Sequence, residues 1–156
     1  MITFKHGNIL EDDAQAIVNP VNCVGVMGAG LALAVKKKFP ESFTHYKHAC
    51  DNGYMDVGGI VVSEQHEGEK DGPRYILHVP TKKHWKDPSK YEWVETGLEA
   101  IKQAIRIHQI TSVAVPLLGA GLGGLDKDEV VSMIEKELTD AGDIRVYLQE
   151  EKPVLH

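Results

Sequence analysis

The sequence predicts a three-layer α/β/α domain around a central, largely parallel or mixed sheet, and two observations predict it. Short runs rich in β-branched and aromatic residues alternate with segments whose apolar residues recur every three or four positions. No repeat, linker or low-complexity tract interrupts that alternation, so the 156 residues are read as one domain over 1–156. A chain of this length buries about two-thirds of the surface it exposes when unfolded, and needs no disulfide or metal to stand.

The elements follow in order. ITFKH reads as a first strand, AIVNP as a second and VGGIVVSE as a third; RYILHVP, SVAVP and IRVYL complete the set. Helical patterns fall between them: GAGLALAVKKKF, ESFTHYKHAC, KYEWVETGLEAIKQAIRIH and DKDEVVSMIEKELTDA, the third with Val94, Leu98, Ile101 and Ile105 on one face. EQHEGEKDGPR is read as a polar turn or hairpin tip and HWKDPSK as a surface loop. Lys36, Lys37 and Lys38 just before Phe39-Pro40 complement a helix C-terminus.

Composition removes several function classes. The formal charge of −6 argues against a general nucleic-acid coat, since non-specific affinity for a polyanion comes from lysines and arginines. Any nucleic acid must be met locally, and the cluster Lys82, Lys83, Lys86 and Lys90 is where that can happen. Cys23 and Cys50 are the only cysteines, too few for a zinc site or a disulfide framework, and they fit a reducing compartment. MITFKHGNIL lacks a basic segment followed by an apolar run, and no stretch is long enough to span a bilayer, so a soluble cytoplasmic monomer is expected. No His, Asp and Glu cluster has metal-ligand spacing, and neither a metal nor a cofactor is expected.

In such sheets ligands bind where strands end and loops meet helix N-termini. Two of those loops are glycine-rich: VNCVGVMGAGLALAVKKKFP and PLLGAGLGGLDKDE, each between a strand and a helix. Together they point to a phosphate-bearing ligand held by backbone N–H groups and helix dipoles. Gly119, Gly121 and Gly124 satisfy G-x-G-x-x-G, but only one strand remains after them, so a two-half dinucleotide fold cannot be built. Neither loop reads as a Walker motif, which argues against a nucleotide triphosphatase.

GNIL, AIVNPVNCVGVMGAGLALAVKKKFPESF, PTKKHW and VPLLGAGLGGLD, in that order, resemble the macrodomain, the ADP-ribose-binding module, over essentially the whole chain. Asn22-Cys23-Val24-Gly25 and the run Pro80 to Trp85 are most similar to the DarG-type branch of DNA ADP-ribosyl glycohydrolases, related to the human terminal ADP-ribose glycohydrolase. The resemblance implies an antitoxin-like enzyme that removes ADP-ribose from thymidine in single-stranded DNA, with a DarT-type toxin as its counterpart. DarG-type proteins carry a second, toxin-binding domain, and no such domain is read here.

The resemblance also assigns a site. Asn8 and Ile9 would meet adenine; many macrodomains carry Asp where this chain has Asn8, which keeps an acceptor oxygen and loses the charge. Cys23, Val24, Gly25, Met27, Gly28, Gly30 and Leu31 would wrap the distal ribose, with Thr81 beside them. Leu118, Gly119, Ala120, Gly121, Leu122, Gly123 and Gly124 would cradle the diphosphate, and Gly28, Gly30, Gly121 and Gly123 would be glycine because a Cβ would strike the ligand. Asn22 is a ribose contact and catalytic candidate, or a turn asparagine bonding its own backbone.

Lys82 is the sharper catalytic candidate. It follows a strand at the edge where the ligand should lie, and crowding by Lys83 and His84 disfavours its ammonium form. A neutral amine can attack the anomeric carbon of the distal ribose; a charged one can stabilise the leaving base or hold a phosphate. Asp126 opens DKDEVV and reads as an N-cap. Cys23 has no local base or cation to make it a nucleophile and is read as packing under its loop. His78, in mid-strand, reads as a core histidine. His84 and Trp85 offer aromatic faces to a DNA base. The rivals on this scaffold are a hydrolase of ADP-ribosylated acidic side chains or of ADP-ribose 1″-phosphate, and a non-catalytic ADP-ribose reader.

Overall fold

A computed structural model describes residues 1–65 and 72–148. The six expected strands form one sheet: β1 (Ile2–Lys5), β2 (Ala16–Val21), β3 (Val61–Glu64), β4 (Tyr75–Pro80), β5 (Ser112–Pro116) and β6 (Asp143–Tyr147). Their order is β1-β6-β5-β2-β4-β3. Every neighbour is parallel except β3, which runs antiparallel to β4 at the edge, so the sheet is mixed. The four helices among the described residues are α1 (Gly30–Lys38), α2 (Pro40–Asp51), α3 (Tyr91–His108) and α4 (Lys127–Leu138).

The layers follow from strand alternation. On one face Val18, Leu77, Val79, Val113 and Val115 pack against Leu98 and Ile101 of α3 and Ile134 and Leu138 of α4. On the other, Ile17, Ile76 and Ala114 meet Val35 of α1 and Phe39 at its end. Strands buried from both sides cannot alternate polar with apolar, which is why β4 reads as a near-continuous apolar run.

The third strand is shorter than the sequence predicts. Gly59 N–H donates to Asp56 O and Val57 N–H to the Asp56 side chain, so residues 57–60 turn rather than extend. Two single-turn 3-10 helices, Ile9–Glu11 and Gly121–Gly123, carry no apolar period and were not foreseen. Of the polar turn read over EQHEGEKDGPR, residues 66–71 lie outside the described residues. Lys36, Lys37 and Lys38 fall in the last turn of α1, and two of them reach beyond it: Lys38 Nζ donates to Leu10 O at 3.0 Å and Lys36 lies over the Phe43 ring. Among the described residues no helix is long and apolar enough to cross a membrane.

Candidate functional site

β5, β2 and β4 are adjacent and parallel, so the loops after them emerge side by side at the carboxyl edge of the sheet. The chain leaves β2 toward α1 on one face and β5 toward α4 on the other; this reversal opens a crevice between the two loops. A cleft of ≈ 410 Å³ lies there, with walls from the β2 loop, the segment after β4 and the β5 loop.

The first wall is tied by one side chain. Asn22 Oδ1 accepts from the N–H groups of Val24 (3.1 Å) and Val26 (3.4 Å), while Nδ2 donates to Val26 O at 2.8 Å. Tyr46 Oη, reaching from α2, bonds both Asn22 O and Asn22 Oδ1 at 2.8 Å. Cys23 N–H donates to Lys83 O, which joins this loop to the segment after β4. The side chain of Asn22 thus satisfies the turn it sits in, and the residue also lines the cleft. Burial pushes the Cys23 thiol up to about 11, so at neutral pH it is a packing group rather than a thiolate.

Beneath that wall a polar chain runs from buried Asn19 out to exposed His45. Asn19 Nδ2 lies 3.2 Å from His78 Nδ1, His78 Nε2 lies 3.0 Å from Ser63 Oγ, and Ser63 Oγ lies 2.8 Å from His45 Nδ1. Burial first, and the neighbouring His45 second, hold the His78 imidazole at about 3 instead of its usual 6.5, so it is neutral. The core reading of His78 is the observed one, and Tyr46 packs its ring 5.5 Å from the imidazole.

The second wall is made of backbone. Ala120 N–H donates to Leu117 O, Gly124 N–H to Gly121 O and Leu125 N–H to Gly119 O, so the turn is closed by its own backbone. Ser89, which also lines the cleft, supports it: its N–H donates to Gly123 O at 3.0 Å, while its buried Oγ has no hydrogen-bond partner. A Cβ on Gly123 would sit 2.4 Å from Ser89 Oγ, so this glycine is required by the protein's own packing, ligand or no ligand. Asp126 occupies the N-cap position of α4 as read, but its side chain makes no cap bond; its N–H donates to Tyr91 Oη.

Lys82 bridges the opening. Its Nζ donates to Leu122 O on the second wall at 3.1 Å and to Trp85 O at 3.4 Å. The neighbours expected to crowd it are turned elsewhere. Lys83 Nζ faces the Trp93 ring, and His84 Nδ1 accepts the N–H of Lys86.

The cleft therefore gathers Asn22, Gly28, Gly30, Leu31, Thr81, Lys82 and Trp85 with Gly119, Ala120, Leu122 and Gly123. Other expected residues support the walls without lining it. Met27 and Leu118 are fully buried, Gly25 packs against Lys47 and Cys50, and Val24 is exposed. Cys23, Gly121, Gly124 and His84 also stand outside the lining. Asn8 and Ile9 are not lining residues either: Asn8 Oδ1 accepts the N–H of Leu10 and Ile9 is core. Sequence reasoning missed Tyr46 and Ser89. Neither had a local signal, since one looked like a helical aromatic and the other like a loop serine. Among the described residues no group of three or more His, Cys, Asp or Glu side chains is arranged to hold a metal.

Comparison with known proteins agrees with this architecture. Residues 18–134 match the Macro domain family. The DNA ADP-ribosyl glycohydrolase of Mycobacterium tuberculosis is 48% identical over 130 residues, which are 83% of this chain and 36% of that protein. The solved macrodomain of Mycobacterium tuberculosis DarG superposes with a TM-score of 0.90 at 44% identity, covering 94% of this chain and 97% of that one. Thermosipho africanus DarTG, solved in complex with ADP-ribose, gives a TM-score of 0.89 at 32% identity over 98% of this chain and 43% of that one. The chain thus spans little more than a third of the mycobacterial enzyme's length.

Proposed function

The chain belongs to the macrodomain family, and from that premise we propose that it is an ADP-ribosyl glycohydrolase that removes ADP-ribose from thymidine in single-stranded DNA. The observation that carries the reading is Lys82, whose Nζ reaches from the β4 side to Leu122 O across the opening. An amine at that point can act on the bond to the distal ribose, a step that a protein only holding ADP-ribose does not perform. The two walls suit the rest of the ligand: Gly119 to Gly124 present backbone to a diphosphate, and the Asn22 loop encloses the distal ribose.

Lys82 Nζ bonds through its lone pair to the anomeric carbon as the bond to the base breaks, and the base leaves with that electron pair and takes a proton from the new amine adduct. The ribose ring of this adduct then opens to an iminium, water adds to the iminium carbon, and the amine leaves as free ADP-ribose forms. Asn22 takes part by holding its loop against the ribose, with its backbone and amide already oriented. His84 and Trp85 meet the DNA at the rim. On this reading the counterpart enzyme is a DarT-type toxin and the setting is the cytoplasm, where free Cys23 and Cys50 stay reduced; the unit acts as a monomer.

The test is release of ADP-ribose from a single-stranded oligonucleotide carrying it on thymidine. The wild type should release it, and Lys82→Ala should lose turnover while still binding ADP-ribose. Release from an ADP-ribosylated glutamate peptide but not from the oligonucleotide would overturn the choice of substrate.

A further inference from the structure

Beside the cleft, the segment from Lys82 into the first turn of α3 gathers cations onto two tryptophans. Trp85 is 52% exposed and lines the cleft, with Lys86 Nζ 5.1 Å from its ring centroid and the His84 ring at 5.4 Å. Trp93 receives two more ammonium groups, Lys90 at 4.9 Å and Lys83 at 6.0 Å. Among the described residues none of Lys83, Lys86 and Lys90 is in ion-pair reach of a carboxylate; the pairs formed belong to Lys5, Lys47, Arg74 and Arg145. Across a chain of formal charge −6, this is a local reversal of sign: four lysines against Asp87 and Glu92 over residues 82–93.

The attraction of a lysine for an aromatic face is weak near solvent, enough to park the ammonium groups and too little to fix them. A strand of nucleic acid offers both partners a better arrangement. Its bases have π-faces that stack on indoles, and its phosphates lie within a lysine's reach of each stacked base. Base edges need not be read, so the match is to a single strand rather than to the groove of a duplex. Trp85 at the cleft rim fixes where that strand starts, next to the nucleotide whose modified base enters the cleft.

We propose that the strip from Trp85 to Trp93 holds the nucleotides flanking the modified base, so that the protein is selective for ADP-ribosylated single strands over ADP-ribosylated mononucleoside. This rests on the glycohydrolase reading above and extends it to residues outside the cleft. As a base stacks on Trp93, Lys83 and Lys90 leave the ring for the adjacent phosphates.

The experiment compares kcat/KM on an ADP-ribosylated single-stranded oligonucleotide with that on ADP-ribosyl-thymidine, for the wild type, Trp93→Ala, Trp93→Phe and Lys83→Gln/Lys90→Gln. The oligonucleotide-to-nucleoside ratio should fall about tenfold or more in Trp93→Ala, as one lost base stack predicts, and be largely kept in Trp93→Phe. The double lysine variant should flatten the dependence of log KM on log salt by about 0.7 per lysine. A ratio unchanged in all three variants overturns the strip. If no variant and no wild type turns over either substrate, the glycohydrolase reading has failed instead. The strip is then judged by binding of an unmodified single-stranded oligonucleotide followed through tryptophan fluorescence: binding weakened by Trp93→Ala supports it, and no binding, or binding only to duplex, overturns it.

Discussion

The two walls of the cleft are built on opposite plans. The β2 loop is held by side chains: Asn22 closes the turn, Tyr46 locks Asn22, and a chain from buried Asn19, His78 and Ser63 out to His45 lies beneath. The β5 loop is held by backbone and by what its residues lack, since Gly123 and Gly119 sit where a Cβ has no room. A wall locked by side chains tolerates substitution only where its hydrogen bonds survive. A wall closed by backbone presents N–H groups to an anion but leaves no room for a Cβ at Gly119 or Gly123.

The harshest break of that comparison is at Gly119, whose φ of +78° favours glycine and where a Cβ would meet Leu125 Cδ1 at 2.7 Å and Val94 Cγ2 at 3.0 Å. Gly119→Ala should cost about 3 kcal/mol by chemical denaturation, combining backbone strain with overpacking. Asn22→Ala attacks the other wall; loss of its amide bonds and of a partner for Tyr46 should cost about 2 kcal/mol and weaken ADP-ribose binding, read by denaturation and calorimetry.

Acid should act on the same wall. His78 is neutral in the fold with its pKa depressed to about 3, whereas an unfolded histidine takes a proton near 6.5. Between those values the unfolded chain binds more protons, so stability falls with falling pH, by up to about 1.4 kcal/mol per unit from this one group. Denaturation from pH 6.5 to 4.5 should show that slope, and His78→Gln should reduce it. The smallest effect belongs to Ser89. Its Oγ is buried without a partner, so Ser89→Ala should leave stability unchanged or raise it by up to about 1 kcal/mol. A loss instead would mean that Ser89 is as firmly bonded as Asn22, and the contrast between the walls would fall.

The order of strands and helices was legible because alternation and helical period are local properties: β4 and α3 declare themselves in RYILHVP and in the spacing of Val94, Leu98 and Ile101. The glycine loops were legible for the same reason. What could not be read depends on distance through space. Tyr46 finds Asn22 from α2, Ser89 slides under Gly123, and Lys83 turns to Trp93 rather than crowding Lys82. Nor did spacing reveal that Asn8 caps the turn it begins.

The most direct test is to quench turnover of the ADP-ribosylated oligonucleotide with a hydride donor and locate the adduct by peptide mass spectrometry. The account predicts ADP-ribose reduced onto the peptide that carries Lys82, and no adduct in Lys82→Ala. Turnover that proceeds without an adduct and survives Lys82→Ala would contradict it.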